Sequence, residues 1–165
     1  MANSILPMRF LAALLLSLAL PAAAATIEGR VVGVTDGDTI TVLDHQNVQH
    51  RIRIASIDAP ERKQPYYSRS KEYLSQWIFN RSVVVESVKR DKYKRIIGQI
   101  FLDGHDIGLE QVRAGMAWWY RAYSKEQSPE DRELYEKAEL AAKERKLGLW
   151  RDSTPIPPWE WRRQK

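Results

Sequence analysis

The chain has 165 residues, 44% of them apolar, with 26 Lys and Arg, 21 Asp and Glu, and no Cys. This length predicts one compact domain, and the absence of Cys excludes disulfide bonds, thiolate metal ligands and a thiol nucleophile. The net charge of +5 favours an anionic partner without identifying one.

The first predicted element is a leader at residues 1–25. Arg9 precedes an apolar run over residues 10–20, and small residues follow at 21–25. This run is shorter than the roughly 20 residues that span a bilayer, and its Ala-x-Ala ending is typical of a signal peptide. We therefore expect export to the periplasm or the medium, with no stable membrane association after cleavage. An uncleaved anchor or a buried helix is the alternative.

Strands separated by turns are predicted to follow. They lie at residues 31–34, 39–43, 48–57, 83–88 and 96–102. Asp36-Gly37 separates the first two and is a pair typical of tight hairpins. In the third strand Arg51 and Arg53 alternate with isoleucines, so the two arginines share one face.

Helices are predicted in the gaps and after the last strand. They cover residues 69–80, a short segment capped by Asp106, and residues 129–146. The last begins with Ser128 as N-cap and Pro129 at its first position, and it stops at Gly148. The Pro-rich tail is predicted to be extended over the domain or disordered, because Pro disfavours a helix.

The order of these elements predicts an α+β fold, a five-stranded OB-type β-barrel with about three packed helices. We expect a signal peptide at residues 1–25, one domain at residues 26–150 and a Pro/Trp-rich tail at residues 151–165. The barrel type binds oligonucleotides and oligosaccharides, so it is a common scaffold for nucleic-acid recognition.

The positive charge is concentrated in one third of the chain. Residues 51–95 contain twelve basic and five acidic residues, whereas residues 26–50 contain one basic and four acidic residues. A concentrated basic segment attracts polyanions and steers them toward the protein. An ordinary solvated surface is the alternative for charge considered alone.

Three motifs place acids and arginines where such a barrel would bring them together. They are Thr35-Asp36-Gly37-Asp38-Thr39, Ile57-Asp58-Ala59-Pro60-Glu61 and Asp91-Lys92-Tyr93-Lys94-Arg95. In this order and spacing, over about residues 26–150, the sequence resembles the thermonuclease, or staphylococcal nuclease-like, family. The resemblance implies an endonuclease that hydrolyses DNA and RNA and leaves 3′-phosphate ends, and we expect it to be a monomer.

The resemblance implies a calcium ion held by oxygen ligands. The ligands would be the carboxylates of Asp38 and Asp58 and the backbone carbonyl of Ala59, where the family has threonine. Since these are few ligands, water and the substrate phosphate must complete the shell. We therefore expect weak binding without substrate, on the order of 10⁻⁴ to 10⁻³ M.

The resemblance makes Glu61 the acid that activates the attacking water, and Arg53 and Arg95 the residues that hold the phosphate. The chemistry requires these residue types, because attack at phosphorus adds negative charge to oxygens that are already anionic. The planar guanidinium of Arg contacts two phosphate oxygens and stays charged.

Other residues match the nucleotide pocket of the family. Lys92 matches a lysine near the phosphate, and Tyr93 and Tyr123 match tyrosines that line the pocket. Two positions depart from the family pattern: Lys94 stands where glycine is usual, and Arg121 falls where a pocket tyrosine is expected. The sequence therefore does not predict the shape of the loop before Arg95 or the base preference of the pocket.

Two other functions remain as alternatives. A noncatalytic OB-type nucleic-acid-binding protein would have lost at least one of the acids Asp38, Asp58 and Glu61 or one of the two arginines, yet all are present. A phosphodiesterase for small nucleotides would fit the same site but would leave the basic segment unused.

Overall fold

The computed structural model describes residues 25–164, except for the side chains of Ala25, Ser87 and Val88. The predicted leader therefore lies outside the described residues apart from the backbone of Ala25. The strands are Ala25–Val34 (β1), Thr39–Asp44 (β2), Gln49–Ile54 (β3), Ile57–Asp58 (β4), Ser82–Arg90 (β5), Ile96–Leu102 (β6), His105–Asp106 (β7) and Trp118–Trp119 (β8). The α-helices are Tyr67–Ile78 (α1), Ile107–Arg113 (α2), Pro129–Glu144 (α3) and Pro158–Trp161 (α4). Short 3₁₀ helices cover Arg121–Glu126, Gly148–Arg151 and Arg162–Gln164.

Five of the strands close into a barrel. β1 pairs antiparallel with β2 and β5, β2 with β3, and β5 with β6. The ring closes because β3 and β6 pair in parallel, with Ile52 beside Ile96 and Ile54 beside Gly98. A side chain at Gly98 on β6 would meet the Glu86 carbonyl oxygen of β5 at 2.6 Å, so glycine permits the close approach of β5 and β6. The predicted OB-type α+β fold is confirmed.

The core of the molecule fills the barrel and the space beneath the helices. Side chains of β6 alternate between buried and half-buried positions along the whole strand, as a sheet with one face in the core requires. Fully buried aliphatic residues from the barrel and from α1 include Ile40, Ile52, Ile100, Leu74 and Ile78. Each contributes about 1.5–3 kcal/mol through removal of its side chain from water.

The third predicted strand is interrupted, which matters for the site. Ser56 has a left-handed φ of 67° and separates β3 from β4. β4 then leaves the barrel and pairs with β8, with Ile57 beside Trp119 and Asp58 beside Trp118. The prediction of one continuous strand over residues 48–57 was therefore wrong, because a distant partner redirects its end.

The helix ends follow the predicted capping residues. The Ser128 hydroxyl accepts a hydrogen bond from the Asp131 amide at 3.0 Å, and the Asp106 carboxylate accepts from the amides of Gly108 and Leu109. These contacts satisfy amide groups that have no partner within the helix. Within residues 25–164, the helices are too short or too polar to cross a membrane.

The Pro-rich tail lies over the domain, and part of it is helical. Pro158 begins the one-turn helix α4, at a position where its missing amide hydrogen costs nothing. The Gln64 side chain donates to the Ile156 carbonyl at 2.6 Å, and the Trp159 ring lies 5.4 Å from that of Tyr120. The tail therefore lies over the domain, which was one of the two predicted arrangements, but the expectation that it contains no helix was wrong.

Candidate active site

Eight of the nine predicted site residues line one cavity of about 770 Å³ at the side of the barrel. The exception is Ala59, which is buried behind the cavity wall. Five acidic and six basic residues line this cavity. Such mixed charge suits a site that must hold both a cation and an anionic substrate.

Asp38 is fixed by the loop between β1 and β2. The Thr35 amide donates to the Thr39 carbonyl at 2.8 Å, and the Asp38 amide donates to the Asp36 carboxylate at 3.1 Å. The Asp38 carboxylate accepts from the Thr39 hydroxyl at 3.0 Å and from the Ala59 amide at 2.9 Å. The first and second motifs are therefore joined through one carboxylate.

The predicted hairpin at Asp36-Gly37 is present, since β1 and β2 pair antiparallel across a loop of four residues, 35–38. Gly37 is required by packing, because a Cβ there would lie 1.9 Å from the Ser70 hydroxyl oxygen. The buried side chain of Gln111 donates to the Gly37 carbonyl at 2.7 Å. Helices α1 and α2 thus hold the loop against the barrel.

Arg53 connects the two predicted metal ligands. Its Nη1 forms an ion pair with Asp38 at 2.7 Å, and its Nη2 donates to the Asp58 carboxylate at 3.0 Å and to the Ile57 carbonyl at 3.1 Å. Burial alone would lower the pKa of Arg53, but the charges of Asp38 and Asp58 raise it. The guanidinium therefore stays charged and its direction is fixed before substrate arrives.

The surroundings of Asp58 and Asp36 do not fully stabilise the ionised forms of these two side chains. Burial is the main cause that raises the pKa of Asp58, against the hydrogen bond from Arg162 and the charge of Arg53. Burial and then the charge of Asp38 raise the pKa of Asp36 to about 6. An additional cation in this cluster would relieve both effects.

Glu61 lies at the open edge of the cavity. Its amide donates to the Gln64 side chain at 2.8 Å, and its own side chain is 34% exposed. One carboxylate oxygen forms an ion pair with Arg162 at 2.6 Å. Water can therefore reach Glu61, whereas Asp58 beside it is only 1% exposed.

Arg95 faces the same cavity from the start of β6 but pairs locally. Its Nε donates to Asp91 at 2.8 Å, and its guanidinium lies 5.5 Å from the centre of the Tyr93 ring. Lys94, in the turn before it, has a left-handed φ of 63°, which glycine adopts at little cost. Lys92 lies over the same tyrosine, with its Nζ 5.1 Å from the ring centre.

Tyr120 lines the cavity, whereas the neighbouring Arg121, which was predicted at a pocket position, does not. The Tyr120 ring lies 5.2 Å from that of Tyr123, and both line the cavity. Arg121 instead forms an ion pair with Glu139 at 2.8 Å and covers the Trp119 ring at 4.2 Å. In the sequence, the neighbouring aromatic residues Trp118, Trp119 and Tyr120 made the alignment at Arg121 uncertain by one or two residues.

Arg162 was not predicted as a site residue. It enters the cavity from the 3₁₀ turn that follows α4 and contacts both Asp58 and Glu61. Burial alone would lower its pKa, but the hydrogen bonds to these two acids raise it above the ordinary value. No local motif marks this residue, since its partners lie about one hundred positions earlier in the chain.

The donor atoms fit a hard cation, although the described residues contain no cluster of three or more side chains arranged as a complete metal site. The carboxylates of Asp38, Asp58 and Glu61 face one cavity, and the Arg162 guanidinium already lies between two of them. Calcium prefers oxygen ligands and accepts water in its shell. Two carboxylates with water and phosphate are consistent with this preference.

Comparison with known proteins agrees with the geometry. The sequence model of the family described as Staphylococcal nuclease homologue matches residues 51–152. An uncharacterized endonuclease of Escherichia coli is 40% identical over 146 residues, covering 88% of this chain and 91% of its own. A micrococcal nuclease of Shigella flexneri is 38% identical over 161 residues, covering 92% and 89%. The chain therefore belongs to the staphylococcal nuclease homologue family.

Proposed function

We propose that this nuclease is an exported, calcium-dependent endonuclease that hydrolyses phosphodiester bonds of DNA and RNA and leaves 3′-phosphate ends. The observation that supports this most strongly is the convergence of Asp38, Asp58, Glu61, Arg53 and Arg95 on one cavity. Three separate motifs supply four of these side chains and β3 supplies Arg53, over about sixty residues.

The two arginines provide positive charge to the cavity in which a phosphate would bind. Arg53 lies on β3 and Arg95 immediately precedes β6, and these strands are neighbours in the barrel. Guanidinium groups bind phosphate oxygens in a bidentate manner and stay charged. Because Arg53 is already held by two carboxylates, little reorganisation opposes the stabilisation of charge that develops on phosphorus.

Calcium would be held by Asp38, Asp58 and the carbonyl of Ala59. When bound, it adds positive charge beside the phosphate and orients water. Glu61 is the accessible carboxylate at this position, so it accepts the proton of the attacking water. Its partial exposure allows the proton to pass to solvent.

The substrate is a nucleic acid because the residues around the cavity can contact more of a polynucleotide than a single phosphate group. Tyr120 and Tyr123 line both the large cavity and an adjoining one of about 280 Å³, and aromatic rings there can stack on bases. Lys89 lies 4.8 Å from the Tyr123 ring centre. Basic residues around the cavity bind further phosphates along the strand.

The test is digestion of single-stranded DNA, duplex DNA and RNA by the purified protein, with calcium or with a chelator. We expect cleavage only with calcium, and phosphatase treatment should convert the product ends to hydroxyls. Glu61→Gln should lower turnover about 100-fold or more by removing the proton acceptor, with DNA binding retained. Glu136→Gln, on the exposed face of α3, is the matched control.

Intact substrates in all calcium lanes would contradict the nuclease assignment. Equal turnover of Glu61→Gln and the wild type would exclude Glu61 as the base but leave the rest of the proposal. Export is tested separately, by fractionation of cells that express the full chain and by the mass of the mature N-terminus. Full-length protein that stays in the cytoplasm would contradict the export part of the proposal and leave the nuclease assignment unaffected.

A further inference from the structure

Arg162 reaches back from the tail and binds two acids of the proposed site. Its Nη2 donates to Asp58 Oδ2 at 2.9 Å, while its Nη1 donates to Asp58 Oδ1 at 3.2 Å and to Glu61 Oε1 at 2.6 Å. This is a bidentate contact to one carboxylate, extended to a second. Such charge-assisted contacts are the strongest hydrogen bonds that side chains form.

The contact uses the groups on which the proposed reaction depends. Both oxygens of Asp58 accept hydrogen bonds, Oδ1 from Arg53 and Arg162 and Oδ2 from Arg162. Glu61, the proposed proton acceptor, is bound by the same guanidinium. A cation bound to Asp58 and the guanidinium of Arg162 would repel each other at this distance.

The tail is anchored independently of Arg162. Gln64 binds the Ile156 carbonyl, Pro158 is buried, and Trp159 lies against Tyr120. The side chain of Arg162 follows this anchor and remains 41% exposed. Residues 160–164 can therefore loosen and Arg162 can leave the acids while the anchor at residues 156–159 holds, and the anchor keeps Arg162 close enough to return.

We propose that Arg162 is an internal cation that occupies Asp58 and Glu61 in the ion-free enzyme and that calcium must displace. This inference rests on the proposed function. Displacement frees Asp58 to bind the ion and Glu61 to accept a proton in the same step. The tail therefore lowers the apparent affinity of the enzyme for calcium and raises the calcium concentration that activity requires.

Calorimetric titration of calcium into four proteins tests this directly: the wild type, Arg162→Ala, Arg162→Lys and Arg163→Ala. If the site of the wild type is open one tenth of the time, Arg162→Ala should bind calcium about tenfold more tightly. Arg163→Ala removes the same charge from the neighbouring exposed residue and should bind like the wild type. Arg162→Lys should lie between, since lysine keeps the charge but loses the bidentate contact.

Hydrogen exchange gives a second measurement that does not depend on cleavage. Calcium should speed amide exchange in residues 160–164 of the wild type, whereas Arg162→Ala should exchange fast with or without calcium. Circular dichroism and urea unfolding establish that each variant is folded.

Two results would overturn the inference while leaving the nuclease assignment intact. One is equal calcium affinity of the wild type and Arg162→Ala in enzymes that both cleave DNA. The other is loss of cleavage by Arg162→Ala with unchanged calcium affinity, which would make Arg162 a substrate contact. A wild type that neither binds calcium nor cleaves DNA would instead refute the proposed function, and this inference with it.

Discussion

Two buried carboxylates in this protein, Glu139 and Asp58, are each paired with two cationic side chains but belong to very different surroundings. Glu139 on α3 is 0% exposed and accepts from Arg121 and Lys143, both at 2.8 Å. Asp58 on β4 is almost as buried and accepts from Arg53 and Arg162. Burial and ion pairing alone therefore do not separate a structural acid from a functional one.

The difference lies in how the partners are held and in what the carboxylate faces. Glu139 also accepts from the Trp119 amide at 3.1 Å, and Lys143 is one helical turn away on α3, so the acid joins α3 to β8. Asp58 faces a large cavity, and one of its partners comes from the last turn of the described chain. A buried acid with a replaceable partner beside a cavity indicates a site, whereas a buried acid that joins two elements of secondary structure indicates a structural contact.

The largest effect is expected from Asp58→Asn. Loss of the carboxylate should lower cleavage by about 100-fold to 1,000-fold, as for removal of one group that stabilises developing charge. Stability should stay equal or rise, because the raised pKa means that the folded protein disfavours the charged form of Asp58. Initial rates at saturating calcium and urea unfolding measure the two effects.

A stability loss without a rate loss would invert the comparison and make Asp58 a structural acid. Asp103→Asn provides the control, since Asp103 is an exposed acid in the turn after β6. Its substitution should change neither the rate nor the unfolding midpoint appreciably.

The opposite pattern is expected from Glu139→Gln. In this variant the amide would face Arg121 and Lys143, and these two cations would lose their acid. The free energy of unfolding should fall by about 2 kcal/mol, which is less than for a fully buried pair because both cations are half-exposed. The rate per folded molecule should be unchanged. Urea unfolding measures the loss, and Glu136→Gln on the same helix should change stability by less than about 0.5 kcal/mol. Equal stability of the two variants would refute the structural role of Glu139.

Much of the fold could be predicted from the sequence because alternation and capping are local. The strand at 96–102 and the N-caps at Asp106 and Ser128 agree with the structure. The break at Ser56 could not be predicted, since it depends on pairing with β8 more than sixty residues later. The turn of helix at Pro158 was missed because the prolines of the tail were treated only as helix breakers, whereas Pro129 was treated as the start of a helix.

In the site, too, local patterns could be predicted from the sequence and contacts between distant parts of the chain could not. The motif residues were predicted to meet because they end or precede neighbouring barrel strands, and eight of the nine line one cavity. Arg162 could not be predicted, since only the folded tail brings it to Asp58. Tyr120 was missed because it lies in a run of aromatic residues whose alignment with the family pattern was uncertain by one or two positions. The catalytic and metal-binding roles themselves stay predictions.

A half-buried acid, Asp106, sharpens the comparison because its partner is a neutral hydroxyl instead of a cation. Tyr135 donates to its Oδ2 at 2.8 Å, while Oδ1 caps α2. Tyr135→Phe should therefore cost about 1 kcal/mol at pH 7, the net contribution of one hydrogen bond. Tyr67→Phe is the control, because the Tyr67 hydroxyl is exposed and its contact to the Thr35 carbonyl is long, at 3.5 Å.

The pH dependence of this loss follows from the pKa of Asp106. Burial raises that pKa above its ordinary value of 3.8, against the hydrogen bond from Tyr135. A raised pKa in the folded state means that stability from this group is full below pH 3.8 and falls as pH rises through the folded-state pKa. Removing the donor raises the folded-state pKa further, so the stability deficit of Tyr135→Phe should shrink between pH 7 and pH 4. Urea unfolding at both values measures it, and a deficit that grows in acid would mean that the Tyr135 hydroxyl does not stabilise the ionised form of Asp106.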